Sequence, residues 1–537
     1  MKPSNAALCS LLLGSAQAVA LPNGDVASLI SSRSSTLDWA PCDLDFPDTI
    51  KAAMTEEMDC ATLKVPLDYT SPSPGKTIEL QLIRTNANKK PFKGSVLYNP
   101  GGPGASGVEE IAQAGPPLRH IFGGQFSLIG FDPRADETQP SNSSTLSRRS
   151  TDVLPQFDTW KLTKNVDWET WGDYADKCFE NQQKIGQHIN TPFVARDMLS
   201  IVDALGEDGK LRYWGVSYGT VLGHVFASMF PDRIDRMLLD SVLLADDYAT
   251  SGWITSQRDT KDALFHFFDE CVEAGPSACS LANYSGSDTT AKDLRDALVN
   301  VFDELGNNYT LPSDSGLSED RFPYGGESIL QLLKFTMLKY LYNPRSYLTL
   351  DPFVSNILNY NWAEILKVST PSEDKVQVWN KGSNDAVAGI SCSDSSFRAE
   401  SPEDLYSIIR ANSYQSSSFG DASIGAHQHC SRWRFDAAER IDANKLRSVN
   451  TSFPVFIING IYDPVTPASS AWETSVRLKK SRVLLHEGVG HGSVNHPSKC
   501  INEAIKKYFV DGELPELGTV CKPDMSAYDY LKVNGLV

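Results

Sequence analysis

Positive charge is scarce in this chain: 49 lysines and arginines stand against 67 aspartates and glutamates, for a formal net charge of −18. Binding to phosphate backbones needs clustered Lys and Arg, whereas Lys89-Lys90 and Arg148-Arg149 are isolated loop charges, so no nucleic-acid partner is expected. Long hydrophobic runs are missing too. Beyond residue 20 no segment approaches the ~20 uninterrupted apolar residues of a membrane-spanning helix, so a soluble mature chain with no membrane partner is expected. Cys/His clusters with zinc spacing are absent. The nearest candidate, His427-x-His429-Cys430, suits a disulfide or surface role better, and neither metal nor cofactor is expected. No internal repeat is evident.

Residues 1–20 carry Lys2, an apolar stretch over residues 6–13, and Ala18-Val19-Ala20 before Leu21-Pro22. That is the pattern of a secretory signal, too short to cross a bilayer as a helix, and it predicts a secreted, extracellular protein. Residues 21–38 are Ser-rich and expected to be poorly ordered. Of 10 cysteines, Cys9 falls in the signal, and the remainder is odd, so at least one should be free or intermolecular. Proximity along the chain suggests Cys42 with Cys60, Cys271 with Cys279, Cys392 with Cys430 and Cys500 with Cys521, leaving Cys178 over. Sequons at Asn142, Asn283, Asn308 and Asn450 mark exposed loops open to glycosylation.

At 537 residues and 41% hydrophobic content, the chain exceeds one minimal domain and has ample material for a core. Strand signals recur at residues 78–83, 95–98, 126–131, 211–216 and 237–239, with helices between some of them. One helix is expected to start with Thr191 as N-cap and Pro192 at its first position, and Val194, Met198, Ile201, Val202 and Leu205 form its apolar stripe. Such alternation predicts an α/β fold, a mostly parallel sheet with helices on both faces. The strands halt after Asp240 and resume at Pro454. Between them, helical patterns at residues 259–273, 291–305 and 328–340 predict an inserted, mainly helical cap that restricts substrate size and excludes water. The expected division is a signal at 1–20, a core at 21–243, the cap at 244–450 and the rest of the core at 451–537.

Gly215-Val216-Ser217-Tyr218-Gly219 is the most informative segment, because a buried-strand pattern precedes it and a helical pattern over residues 218–229 follows it. In that setting G-x-S-x-G is a nucleophile elbow, whose tight turn lifts the serine oxygen clear of the sheet. Asp463 follows a buried strand at residues 454–459, and His491 lies on a loop past another at 481–485. Ser217, Asp463, His491 is the chain order of α/β-hydrolases. Ser217 would attack, His491 would take and return its proton, and Asp463 would fix the imidazole tautomer. The oxyanion needs two backbone donors: Tyr218 supplies the first, and the loop Asn99-Pro100-Gly101-Gly102-Pro103-Gly104 the second, assigned to Gly102. Asp240 rivals Asp463 because some hydrolases hang the acid on the strand just after the elbow helix. His486 and His496 rival His491.

The Gly-Gly-Pro-Gly loop, Ala195-Arg196-Asp197-Met198, the run from Tyr213 to Thr220, Met229-Phe230-Pro231-Asp232-Arg233 and the late Asp and His resemble the tripeptidyl-aminopeptidase-like branch of α/β-hydrolases, which is similar to prolyl iminopeptidases. The likeness spans roughly residues 42–521 and is strongest around the elbow. It implies an α/β-hydrolase fold, a C-terminal segment carrying acid and histidine, and release of short peptides or residues from peptide N-termini. Two departures bear on substrate. Where relatives read Asp-Pro-Arg-Gly-x-Gly-x-Ser, this chain has Asp132-Pro133-Arg134-Ala135-Asp136-Glu137-Thr138-Gln139, and Pro100 stands where prolyl iminopeptidases place His. Arg134 and Arg196-Asp197 are expected to form a structural ion pair. A protonated substrate amine would need carboxylates in the cap; Glu327 and Asp394 are among many, and the sequence selects none. The expectation is a serine hydrolase cleaving amides of small peptides through an acyl-enzyme. An esterase acting on a small acyl substrate, or an inactive binding protein of the same fold, remains open, as does the oligomeric state.

Overall fold

A ten-stranded sheet organises the residues that the computed structural model describes, namely 37–134, 159–307, 322, 324–369, 383–415, 418–422 and 429–536. Its strands are β1 (Ala40–Pro41), β2 (Asp59–Pro66), β3 (Thr77–Thr85), β4 (Ser95–Asn99), β5 (Ser127–Phe131), β6 (Leu211–Val216), β7 (Ile234–Asp240), β8 (Phe456–Tyr462), β9 (Arg482–Val489) and β10 (Val520–Cys521). They run in the order β1-β2-β3-β5-β4-β6-β7-β8-β9-β10. The pairs β1/β2, β2/β3 and β3/β5 are antiparallel, and every pair from β5/β4 to β9/β10 is parallel. This is the α/β-hydrolase arrangement expected from the sequence.

The central strands are apolar on both faces because both are covered. Leu97, Leu211, Tyr213, Met237, Leu239 and Ile457 enter one core, while Val96, Tyr98, Trp214, Val216, Leu238, Phe456 and Ile458 enter the other, as a period of two requires. Over the second core lies α1 (Gly107–Ile121), contributing Val108, Ile111 and Leu118; over the first lie α2 (Thr191–Ala204) and α3 (Tyr218–Met229), contributing Met198, Ile201, Val221 and Phe226.

Among the described residues, the chain between β7 and β8 is helical, including α4 (Thr260–Ala274), α5 (Ala291–Gly306), α6 (Gly326–Leu341), α7 (Tyr347–Leu358) and α8 (Ser383–Asp394). Helices α4 to α7 bury Phe267, Phe302, Leu333 and Phe353 in a third core, which Val489 at the end of β9 and Tyr528 and Leu531 near the C-terminus also enter. After β8 come α9 (Ala468–Arg477), α10 (Lys499–Asp511) and α11 (Ala527–Val533). The four disulfides join Cys42–Cys60, Cys271–Cys279, Cys392–Cys430 and Cys500–Cys521, and Cys178 is free, the pairing that proximity suggests.

Three local expectations need correction. The N-cap of α2 is Asn190, whose side chain accepts from Phe193 N–H, because the Thr191 hydroxyl is turned to Asp394 instead. Strand β9 runs past His486 to Val489, so that histidine lies within the strand. Arg134 and Asp197 do form a buried two-bond ion pair, at 2.8 and 2.6 Å, but Arg196 pairs with Glu439. The signal, residues 135–139, His427, Asn142 and Asn308 lie outside the described residues, while Asn283 and Asn450 are exposed.

Candidate active site

Strand β6 ends at Val216 and α3 begins at Tyr218, leaving Ser217 to make the whole turn at φ 58°, ψ −124°. Both flanking glycines are needed for close approach. A Cβ on Gly215 would lie 2.3 Å from Gly219 O, and one on Gly219 would lie 2.7 Å from Asn99 O. The strained serine is pinned on both sides: its N–H donates to Asp240 O at 3.0 Å, and its carbonyl accepts from Thr220 N–H at 2.8 Å and Thr220 Oγ1–H at 2.6 Å. Within residues 211–220 it alone is not fully buried.

Asp463 follows β8 directly and is fully buried, accepting from Val465 N–H at 3.0 Å, Thr466 N–H at 2.9 Å and Thr466 Oγ1–H at 2.7 Å. His491 Nδ1 lies 2.9 and 3.1 Å from its two oxygens. Burial opposes the charge on Asp463, yet His491 and these donors hold its carboxyl below the usual carboxylate range. Burial likewise opposes an imidazolium at His491, and Asp463, with help from Asp240, overrides it and raises the group above its ordinary value. With Nδ1–H given to Asp463, Nε2 is left as the acceptor. Among the described residues no hydrogen bond joins Ser217 Oγ to His491.

The glycine loop lies against the elbow. Gly101, Gly102 and Gly104 have φ of +106°, +101° and +80°, and a Cβ on Gly101 would sit 2.6 Å from Val216 O and 2.8 Å from Ser217 Cβ. Gly101 N–H is spent on Asn99 Oδ1 at 3.1 Å, whereas Gly102 is the exposed residue between buried neighbours. Helix α8 rests on this loop, since a Cβ on Gly104 would meet Ala386 Cβ at 2.6 Å. At the other end of α8, Asp394 accepts from Thr191 N–H at 2.8 Å, Thr191 Oγ1–H at 2.5 Å and Tyr248 O–H at 2.8 Å, and Tyr218 O–H reaches Thr191 Oγ1 at 2.5 Å. Asp394 is thus engaged inside the protein rather than offered to a ligand. Glu327 lies half-buried in the first turn of α6.

Sequence reasoning missed several residues that hold the site together. Tyr342, just past α6, accepts His491 N–H on its carbonyl at 2.8 Å and sets its ring edge-on to the imidazole, with centroids 5.1 Å apart. Asn343 Nδ2–H donates to Asn495 Oδ1 at 2.9 Å. No local pattern marks these residues, because their partners lie far along the chain. Neither rival histidine is placed to act as the base. His496 Nδ1 accepts from Val489 N–H at 3.1 Å while Nε2 meets Met525 O at 2.8 Å, and burial drives His486 down to about 4.

A family model described as TAP-like protein matches residues 415–521, the stretch that holds Asp463 and His491. The chain is 26% identical to serine protease Hip1 of Mycobacterium tuberculosis over 90% of its length and 91% of that protein. It is 24% identical to a tripeptidyl aminopeptidase of Streptomyces lividans, over 91% of this chain and 87% of the relative. It is also 26% identical to carboxylesterase B of M. tuberculosis, over 90% of each chain. With its parallel sheet, serine elbow and buried Asp–His pair, the chain is a serine hydrolase that is similar to the TAP-like proteins over residues 415–521.

Proposed function

We propose that Ser217, His491 and Asp463 form the catalytic triad of an exported exopeptidase that releases short peptides or residues from the N-termini of small peptides. The Asp463–His491 hydrogen bond carries the reading, because it leaves Nε2 free to accept a proton at the end of the sheet where Ser217 stands. Ser217 Oγ attacks the carbonyl carbon as its proton passes to His491 Nε2. The C–O bond forms, and the carbonyl π electrons move onto oxygen, facing the N–H groups of Tyr218 and Gly102. Collapse expels the amine, which takes the proton from His491, and leaves an acyl-enzyme. Water then repeats the cycle and frees the acid. A hydrogen bond between Ser217 and His491 would form as substrate binds.

Peptide substrates are supported by relatives named serine protease and tripeptidyl aminopeptidase. Export is supported by the signal pattern and by disulfides, which persist in oxidising compartments. A second reading, an esterase, is favoured by the carboxylesterase relative at equal identity. One experiment separates them: a free and an N-acetylated chromogenic tripeptide and a simple ester are compared, with a fluorophosphonate probe reporting the serine. Ser217→Ala is expected to lose probe labelling and ~10⁴-fold or more in turnover. Retained turnover in that variant overturns the triad. Equal kcat/KM for the free and acetylated peptides, or turnover of the ester alone, assigns the esterase reading.

A further inference from the structure

Asp240 ends β7 between β6 and β8, paired with Val216 on one side and Ile458 on the other. Its carbonyl takes the Ser217 N–H at 3.0 Å. Its fully buried carboxylate faces the opposite partner, accepting from Ser493 Oγ–H at 2.6 Å, Ser493 N–H at 3.1 Å and Trp214 Nε1–H at 3.3 Å. The next residue, Ser241, accepts Gly492 N–H on Oγ at 2.8 Å. Asp240-Ser241 therefore grips the backbone of the elbow serine and the two residues after His491 together.

We propose that Asp240 is a positioning residue for His491, seating its loop through Ser493 and supplying a second negative charge that favours the imidazolium formed during the reaction. This rests on the triad reading above. The groups facing His491 are Asp463 from the β8 loop, Asp240 from β7 and the Tyr342 ring from the end of α6; Asp259 faces Asp463, and Tyr98 of β4 faces Asp240. Burial lifts the Asp240 carboxyl to about 6, while Ser493, Trp214 and His491 pull the other way, and its charged form favours the imidazolium at His491. Two carboxylates then divide the work. Asp463 fixes the tautomer by direct contact, and Asp240 adds charge at one remove.

The test is the pH dependence of kcat/KM and of fluorophosphonate labelling, read on wild type, Asp240→Asn, Ser493→Ala and Ser493→Thr. Loss of the Asp240 charge is expected to move the acid limb to lower pH by on the order of half a unit or more. Ser493→Ala removes one donor to the carboxylate, disfavours its charge and should move the limb the same way by less, and Ser493→Thr should restore it. A limb that stays in place in folded Asp240→Asn overturns the proposal. If that variant does not fold, an unmoved limb in Ser493→Ala does so. Labelling that survives Ser217→Ala or His491→Gln defeats the triad reading instead, so the two failures are distinct.

Discussion

Ser217 is held in a left-handed turn by hydrogen bonds on both sides, and Gly101 lies against it so closely that an added methyl would overlap Val216 O and Ser217 Cβ. Gly101→Ala should therefore push the glycine loop off the elbow while leaving the sheet in place. The expected result is a kcat loss of ~10²-fold with a smaller change in KM, because a displaced donor weakens only the charged intermediate. Steady-state kinetics beside a thermal melt checks it, and a parental kcat would show that the loop tolerates the methyl. The turn at Ser217 and the loop positions of Asp463 and His491 were legible in the sequence because each follows a short apolar run that reads as a buried strand. Tyr342, Ser493 and the role of Asp240 were not. Their partners lie on other elements, and a polar residue in a loop carries no sign of which distant backbone group it will meet.

Helix α8 bridges the helical segment and the sheet, touching the glycine loop through Ala386 and the start of α2 through Asp394. Burial pushes the Asp394 carboxyl up to about 7, against the pull of the Thr191 and Tyr248 donors, from an ordinary value of 3.8. A carboxyl raised on folding contributes stability in full below its unfolded value and loses it as pH rises through the folded one. Asp394→Asn cannot titrate. The melting-temperature advantage of wild type over this variant should be largest near pH 4 and shrink steadily towards pH 8, and an advantage that grows with pH would contradict the assignment. At this scale the sequence was legible where the periodicity was strong: α3 runs over the expected residues, and α4 to α6 lie within a residue or two of expectation. It was silent on β2, where Ala61, Leu63 and Val65 are buried while Thr62 and Lys64 face solvent, so no continuous apolar run announces the strand. It also stopped β9 early, because Glu487 and Gly488 interrupt the apolar run although the backbone pairing continues.

At the scale of the whole molecule, Cys392–Cys430 fastens the end of α8 to the chain that leads back to the sheet. Replacing both cysteines by serine should cost ~2–5 kcal/mol, read as a lower denaturant midpoint, and a midpoint equal to wild type would show the link to be dispensable. The sheet has another property that concerns synthesis. Strand β8 lies beside β7, yet all of residues 241–455 come between them in the chain. A polypeptide emerging N-terminus first must carry a bare β7 edge while those residues are made, and such an edge is open to wrong partners until β8 arrives to cover it. His491 emerges later still. On the triad reading, the order of translation acts as a safety catch: the nascent chain exposes an elbow serine with no base to activate it, and hydrolysis begins only after the segment carrying His491 has left the ribosome.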